Sequence, residues 1–281
     1  MAKRQEIART MLRSYNDLGY QAYNISARDF PAGLTGIREL KKIANFPFIS
    51  ANIVDSTSLQ PLFMPYLITN LSGRKFGIIG VTTMPKAPVR GVMFTDMLAA
   101  LHKYLPEIRK RADYIILLAY LERDDETRLG GEELDIDFIL QSGTYRYSHS
   151  LENKNGVLIA RCGNLGKYVG LIRFNLQQKD QPLQDISNLI VQKNYADKRL
   201  KSFEKNAGNK SLEEYYANDP YLLQTITSLT TQTEIVQAEI QKVVNPVTYE
   251  LIELDDSITD HPQFRARLNE LEKMINQIQS R

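Results

Sequence analysis

Three histidines, one cysteine and a few carboxylate pairs are the residues from which a hydrolytic or metal centre would have to be built. A metal hydrolase needs several His, Asp or Asn ligands converging at strand ends, because imidazole and carboxylate hold the ion while an open position activates water. His102, His149 and His261 lie 47 and 112 residues apart. His102 falls on a predicted helix, His149 in a polar loop (Tyr-Arg-Tyr-Ser-His-Ser) and His261 at a helix start, so each reads as a surface or capping residue. No H-x-x-x-H, C-x-x-C, P-loop or G-x-S-x-G occurs. Cys162 follows the predicted strand Gly156–Ala160 with no histidine near it in sequence, and reads as a small half-buried side chain. Asp124-Asp125 and Asp255-Asp256 lie in segments that read as solvated turns. The run Gly163–Gly170 could cradle a phosphate, since glycines let backbone N–H groups approach an anion, with Asn164 and Lys167 as the polar side chains. A plain turn into a strand explains it equally well.

These residues sit in a chain of 281 residues with 43% hydrophobic, 24% charged, 15 Gly and 11 Pro. That composition is the profile of a folded protein and excludes a collagen-like, disordered or disulfide-rich chain. The 35 Lys and Arg against 33 Asp and Glu leave a formal charge of +2, without the basic excess of a nucleic-acid footprint. There is no Trp, and the aromatic residues fall mainly in strand or seam positions rather than interleaved with basic ones, so base stacking has little support. No window approaches 18 uninterrupted apolar residues, and residues 1–13 lack the apolar run of an export signal. The expected location is cytoplasmic, or periplasmic or extracellular if an export segment precedes the sequence.

The elements that would position any site alternate between helix and strand. Ile7, Met11, Leu12, Tyr15 and Leu18 share one helical face, which Gly19 terminates. Strands are expected at Ala22–Ile25, Phe46–Ile53, Phe76–Val81 and Tyr114–Leu121, with helices at Thr35–Ala44, Asp96–Arg111 and Glu132–Leu134. The alternation argues for a layered α/β core. Further along, Tyr168–Leu176, Ile186–Lys193 and Val247–Leu254 read as strands, and residues 195–243 as almost wholly helical. Asp219-Pro220 supplies an N-cap and a proline at the first helical position, after which Leu222, Ile226, Leu229, Thr233, Val236, Ile240 and Val243 trace a 4,3 seam. Pro262 opens a last helix, where Phe264, Leu268, Leu271, Ile275 and Ile278 repeat the spacing. The expected division is an α/β core at 1–194, an inserted helical hairpin at 195–244, and a closing strand and helix at 245–281. The seam must bury against its own hairpin arm, which offers Tyr195, Leu200, Phe203, Leu212, Tyr215 and Tyr216, or against a protein partner or second copy.

The order of segments resembles the calcineurin-like metallophosphoesterases of the bacterial 5′-nucleotidase type. The likeness is carried by residues 18–25 (Leu-Gly-Tyr-Gln-Ala-Tyr-Asn-Ile), 46–54, 75–83, 112–118, 136–140 and 163–170, and spans roughly residues 5–176. It implies a four-layer α/β/β/α sandwich and a two-metal site that hydrolyses phosphate esters. The ligands of that site come from an Asp-x-His and a Gly-Asp near the start, then an Asn-His-Glu, a lone His and a Gly-His-x-His. The sequence begins past the first two motifs. In register, Ala27, Arg28 and Asp29 occupy the Asn-His-Glu, Tyr120 the lone His, and Ser142, Gly143, Thr144 and Tyr145 the last motif. A shift of four residues would reach His149 but would break the Ile136–Leu140 register. A guanidinium repels a dication, and phenols with pKa near 10 are poor ligands for zinc or manganese. The resemblance therefore implies a fold without its metals or reaction: a non-catalytic scaffold or interaction subunit, with no cofactor. Two other readings stand. One is a phosphoesterase completed by preceding residues or another chain; the other is an anion or phosphate-ligand sensor using Arg28, Asn164 and Lys167. For Arg28 a salt bridge with Asp29 or a neighbouring carboxylate is the expectation ahead of anion binding.

Overall fold

The computed structural model describes residues 2–179 and 181–279. In chain order it forms α1 (Ala2–Asp17), β1 (Tyr23–Asn24), a 3-10 turn (Ala27–Asp29), α2 (Gly33–Lys41), β2 (Phe48–Ile49) and β3 (Ile53–Asp55). There follow β4 (Tyr66–Leu71), β5 (Arg74–Thr82), β6 (Val92–Phe94), α3 (Met97–Arg109), β7 (Tyr114–Tyr120), α4 (Arg123–Gly130), β8 (Phe138–Ser142), β9 (Glu152–Lys154) and β10 (Val157–Arg161). The last third holds β11 (Tyr168–Phe174), β12 (Leu183–Asp185), α5 (Ser187–Ala207), α6 (Leu212–Tyr215), α7 (Pro220–Lys242), β13 (Asn245–Glu253) and α8 (Pro262–Gln279). The chain divides into two compact units, one of residues 1–147, 153–169 and 253–281, the other of residues 148–152 and 170–252.

The first unit is organised by a six-stranded sheet of order β4-β5-β7-β8-β10-β9. Strands β5, β7, β8 and β10 run parallel, with Thr82 opposite Tyr120 and Tyr120 opposite Ser142 at their C-terminal ends. β4 turns antiparallel onto β5 through Ser72-Gly73, both at positive φ (51° and 80°), which matches the hand of a two-residue hairpin. Side chains alternate across the sheet. Ile79, Val81, Ile115, Leu117 and Ala119 meet Met97, Ala100, Leu101, Leu105 and Ile108 of α3, and this cluster is almost fully dry. The helix has that apolar face because those residues recur at 3 and 4 spacing, and it starts where Asp96 caps the Ala99 N–H at 2.9 Å. Gly77 lets α3 approach: a Cβ there would run into Ile108.

A second cluster joins Leu12, Ile25, Phe30, Ile37, Phe46, Phe48, Ile53, Phe63, Val92 and Phe94. Here β1 pairs parallel with β2, and β3 pairs antiparallel with β6. The expected single strand Phe46–Ile53 is thus two strands, divided at Ser50–Asn52. Asn52 explains the division: its buried amide donates to Thr82 O (2.8 Å) and Thr95 O (3.0 Å) and accepts from Thr82 N (3.0 Å). That side chain replaces a ladder with a cross-link. α1 packs against α8, where Arg267 reaches Asp17 at 2.5 Å and Gln263 reaches the same carboxylate at 3.0 Å.

Two further expectations fail in this unit. Glu132–Leu134 is not helical; the helix lies earlier, at α4, and contains Asp124-Asp125 in its first turn, where carboxylates favour the helix dipole. Asp255, by contrast, does sit in a turn, accepting from Ser257 N at 2.9 Å.

In the second unit β11, β13 and β12 form a sheet in that order, β12 and β13 parallel. The segment Ile186–Lys193 is not a strand. Asp185 accepts from the Ser187 N–H at 2.9 Å and turns the chain into α5 directly after β12, where Leu189, Lys193, Ala196, Leu200, Phe203 and Ala207 form a 4,3 seam. α5 packs along α7, which opens as expected with Asp219 capping the Leu222 N–H at 3.0 Å and Pro220 in its first turn. The buried Asn245 accepts from Gln177 N and Gln178 N and donates to Gln178 O and Gln181 O, tying the start of β13 to that loop.

The α3 interface supplies a direct stability test. Leu117 is fully buried in it, so Leu117→Ala is expected to cost about 3 kcal/mol. The measurement is a urea transition, whose midpoint should fall with its slope unchanged.

Candidate functional site

In the parallel part of the sheet the chain leaves β5 and β7 at the same edge, the place where open α/β sheets receive ligands. A cleft of about 380 Å³ opens there, lined by Ala27, Arg28, Thr83, Lys86, Tyr120 and Glu122 together with the Met84–Val89 loop. Its walls are set by backbone geometry. β1 is fastened over the sheet by the Asn24 amide, which donates to Val81 O (2.8 Å) and Leu118 O (2.9 Å). The next residues form the 3-10 turn, closed by a reciprocal cap: Asp29 accepts from the Ser26 N–H (2.8 Å) and the Ser26 hydroxyl (2.9 Å). That turn delivers Arg28 to the Tyr120 ring, with the guanidinium carbon 5.8 Å from its centroid. Thr83 takes the Glu122 N–H on its hydroxyl at 2.9 Å, closing the opposite wall.

The positions aligned with the metal-ligand motifs are therefore partly assembled. Ala27, Arg28 and Tyr120 share the cleft. Gly143 lies against Tyr120: it holds φ +87°, and a Cβ there would sit 3.0 Å from Leu121 O and 3.3 Å from the Tyr120 ring, so only glycine fits. Tyr145 is elsewhere, 79% exposed on the following loop. Asp29 points inward, where Tyr23 OH also donates to it at 3.0 Å. The expected Arg28–Asp29 salt bridge does not form; that carboxylate is engaged by Ser26 and Tyr23. Asn164 and Lys167 are exposed and do not line the Arg28 cleft.

A two-metal centre does not fit these residues. Among the described residues no group of three or more His, Cys, Asp or Glu side chains is placed to hold an ion. His102 faces Glu132 at 3.3 Å, and His261 packs beside Phe264 with ring centroids 5.4 Å apart. Cys162 is half-buried and its segment bridges Tyr147. The only motif-aligned carboxylate, Asp29, has its oxygens committed to neighbouring donors, and a fixed cation stands next to it in the cleft.

Beside the cleft lies a charged cluster that sequence reading missed. Arg161, at the end of β10 and 5% exposed, donates to Gln141 Oε1 and to Glu126 Oε1, both at 2.8 Å. Arg146 takes the other Glu126 oxygen. Glu126 thus locks α4 and the 143–147 loop onto the ends of β8 and β10. No periodic signal marks it, since residues 158–161 of β10 are all buried and Arg161 simply ends an apolar run.

The 4,3 seam of α7 also has a clear location. Ile226, Leu229 and Val236 are buried, while Leu222, Ile240 and Val243 are half-buried. Leu200 and Phe203 are among the half-buried residues of the facing arm, and Phe203 meets the buried Tyr216 edge-on at 5.6 Å. Tyr195, Tyr215 and Tyr221 stand outside at 59%, 48% and 77% exposure.

Two outcomes test this geometry. Burial, against the hydrogen bonds from Ser26 and Tyr23, holds the Asp29 carboxyl above its ordinary range. The folded group then binds its proton more tightly than the unfolded one, so this contribution to stability is full at low pH and is lost as pH rises through the folded value. Asp29→Asn removes that titration. Its stability relative to the native chain should improve as pH rises above the ordinary carboxyl value of about 4, and a constant difference would refute the assignment. Glu126→Ala leaves Arg161 buried beside a lost partner and is expected to cost about 2–3 kcal/mol, read by thermal unfolding; Arg161→Met with Glu126→Leu should recover much of it.

No family model matches the chain. It is 33% identical over 138 residues to an uncharacterized metallophosphoesterase, YunD, of Bacillus subtilis, covering 47% of this chain and 30% of that protein. It is 25% identical over 257 residues to the protein UshA of Yersinia enterocolitica, covering 76% of this chain and 45% of UshA. The chain thus spans less than half the length of these relatives. Among solved structures, a 5′-nucleotidase precursor from Thermus thermophilus aligns with a TM-score of 0.57 at 23% identity, over 64% of this chain and 40% of that one. The relatives and structural neighbours of this chain are metallophosphoesterases and 5′-nucleotidases, and its mixed α/β core has their fold.

Proposed function

We propose that this chain keeps the phosphoesterase fold and its strand-end cleft without carrying the two-metal reaction on its own residues, and that it acts as an interaction subunit toward a protein partner or a second copy. The reading rests on Arg28. Its guanidinium lies against Tyr120, where a dication would have to be held, and the neighbouring carboxylate Asp29 is turned inward to Ser26 and Tyr23. A dinuclear site gains its rate by clamping both oxygens of an in-line displacement, and these side chains offer no such clamp.

A second reading is favoured by the relatives, whose names are those of enzymes: metallophosphoesterase, 5′-nucleotidase, 2′,3′-cyclic-nucleotide 2′-phosphodiesterase/3′-nucleotidase. These names support a phosphoesterase more than a scaffold. In that reading the metal ligands are contributed from outside this sequence, and the cleft described above forms one wall of the completed site.

The two separate on one preparation. The full chain, purified and equilibrated with manganese or zinc, is analysed for bound metal and assayed with p-nitrophenyl phosphate and AMP. The first reading expects no stoichiometric metal and hydrolysis at the buffer rate. A pair of tightly held ions with turnover would replace it by the second.

A further inference from the structure

We infer that the free edge of β4 is a docking strand for an extended acidic segment of a protein partner, which adds a strand beyond β4 and places a carboxylate among Lys75, Lys110 and Arg111. The inference deepens the reading of this chain as an interaction subunit and rests on it. The six-stranded sheet ends in β4 on one side and β9 on the other. β9 is three residues long, exposed throughout, and carries Glu152 and Lys154, the short and charged form in which natural sheets keep an edge closed. β4 is six residues, Tyr-Leu-Ile-Thr-Asn-Leu, without charge or proline, and Leu71 at its end is 44% exposed. The N–H and C=O of Lys75 are both taken by Asp113, on the β7 side of β5, at 2.8 Å each. Asn70, opposite Lys75, therefore turns its own N–H and C=O outward, and by alternation so do Ile68 and Tyr66. Among the described residues the backbone of Tyr66–Leu71 bonds only to β5.

Charge decides the kind of partner. A cleft of about 380 Å³ lies beside β4, lined by Ile68, Thr69, Asn70, Lys75, Lys110 and Arg111. It sits at the N-terminal ends of β5 and β7, at the opposite end of the sheet from the Arg28 cleft. Lys75 and Lys110 have no ion-pair partner among the described residues. Arg111 is steadied by Tyr66: its Nη1 donates to the Tyr66 hydroxyl at 3.0 Å and lies 3.3 Å from Glu107. The nearby carboxylates are engaged, Glu107 by Tyr66 and Arg111, Asp113 by the Lys75 N–H. A strand edge offers backbone hydrogen bonds to any sequence, whereas three cations at its side select one whose cleft-facing side chain is a carboxylate. The same cluster weighs against a second copy. Two-fold antiparallel pairing of β4 with β4 would centre near Ile68 and Thr69 and bring both sets of cations together, a like-charge contact that opposes association. The partner segment is therefore an extended one that alternates apolar and acidic residues.

The test uses the full chain and a short acetylated, amidated, fluorophore-labelled peptide of alternating Val and Glu, with the alternating Val and Lys peptide as control. Fluorescence anisotropy should show binding of the first and not of the second, and the affinity should fall with added salt. Lys75→Gln combined with Lys110→Gln should weaken the Val and Glu peptide by about tenfold or more. Asn70→Pro removes one outward N–H while leaving the ladder to β5, and should remove most of the binding. Amide hydrogen exchange on the native chain should slow at Ile68 and Asn70 when the Val and Glu peptide is added, and not at Thr69, which already faces β5. Melting curves will show which variants are folded; if Asn70→Pro is not, the exchange pattern of the native chain decides. No binding at millimolar peptide, equal binding of the Val and Lys peptide, indifference to the paired Lys substitutions, or exchange that slows only away from β4 would each overturn the inference. So would a peptide-free dimer in sedimentation that the paired Lys substitutions strengthen and the Val and Glu peptide does not split. Failure here leaves the metal and hydrolysis assay standing, and turnover in that assay would fail the parent reading instead.

Discussion

The Asn24 amide is bonded at once to a carbonyl of β5 and a carbonyl of β7, so the very short β1 strand cannot slide along the sheet. Two residues of ladder would hold little by themselves; the side-chain bridge supplies what the ladder lacks. From that anchor the chain has only one residue before Ser26, and the reciprocal cap with Asp29 then fixes the turn. The location of Arg28 over Tyr120 follows from these constraints in series. Asn52 does the same for the next segment, binding Thr82 at both its N–H and C=O, so two asparagines set the edge of the cleft.

Much of this is legible in the sequence itself. The alternation along β7, the 3 and 4 spacing of α3 and the Asp-Pro start of α7 are local signals that agree with the packing they produce. The failures have a common cause. Phe46–Ile53 is apolar and β-branched enough for one strand, yet Asn52 spends its hydrogen bonds on distant backbone and breaks it. Ile186–Lys193 has strand-like composition, but Asp185 bonds Ser187 and the next apolar residues belong to a helical seam. The hairpin of β4 with β5 is marked in the sequence only by the local pair Ser72-Gly73, and the pairing of β3 with β6 has no local signal because it joins residues nearly forty positions apart.

At the site, sequence order was enough to bring Ala27, Arg28, Tyr120 and Gly143 to one region, because the strand register places Tyr120 between Thr82 and Ser142. It could not say which way Asp29 would turn, since that depends on whether Ser26 or solvent claims the carboxylate. Nor could it separate Tyr145 and Lys167 from the cleft, because loops at strand ends obey no period. The buried Arg161 was invisible for a related reason: a charge inside an apolar strand is tolerated only when Glu126 and Gln141 arrive from other elements.

The pairing of β12 with β13 carries an implication for how this unit can vary. Parallel neighbours require a long return path, and α5 with α7 is that path; its two matching 4,3 seams bury one another. Adding a whole heptad to each arm would keep every contact in phase and leave both strand ends where they are. The arm can thus be lengthened in steps of about 10 Å without disturbing the sheet beneath it, like a mast raised section by section on an unchanged deck.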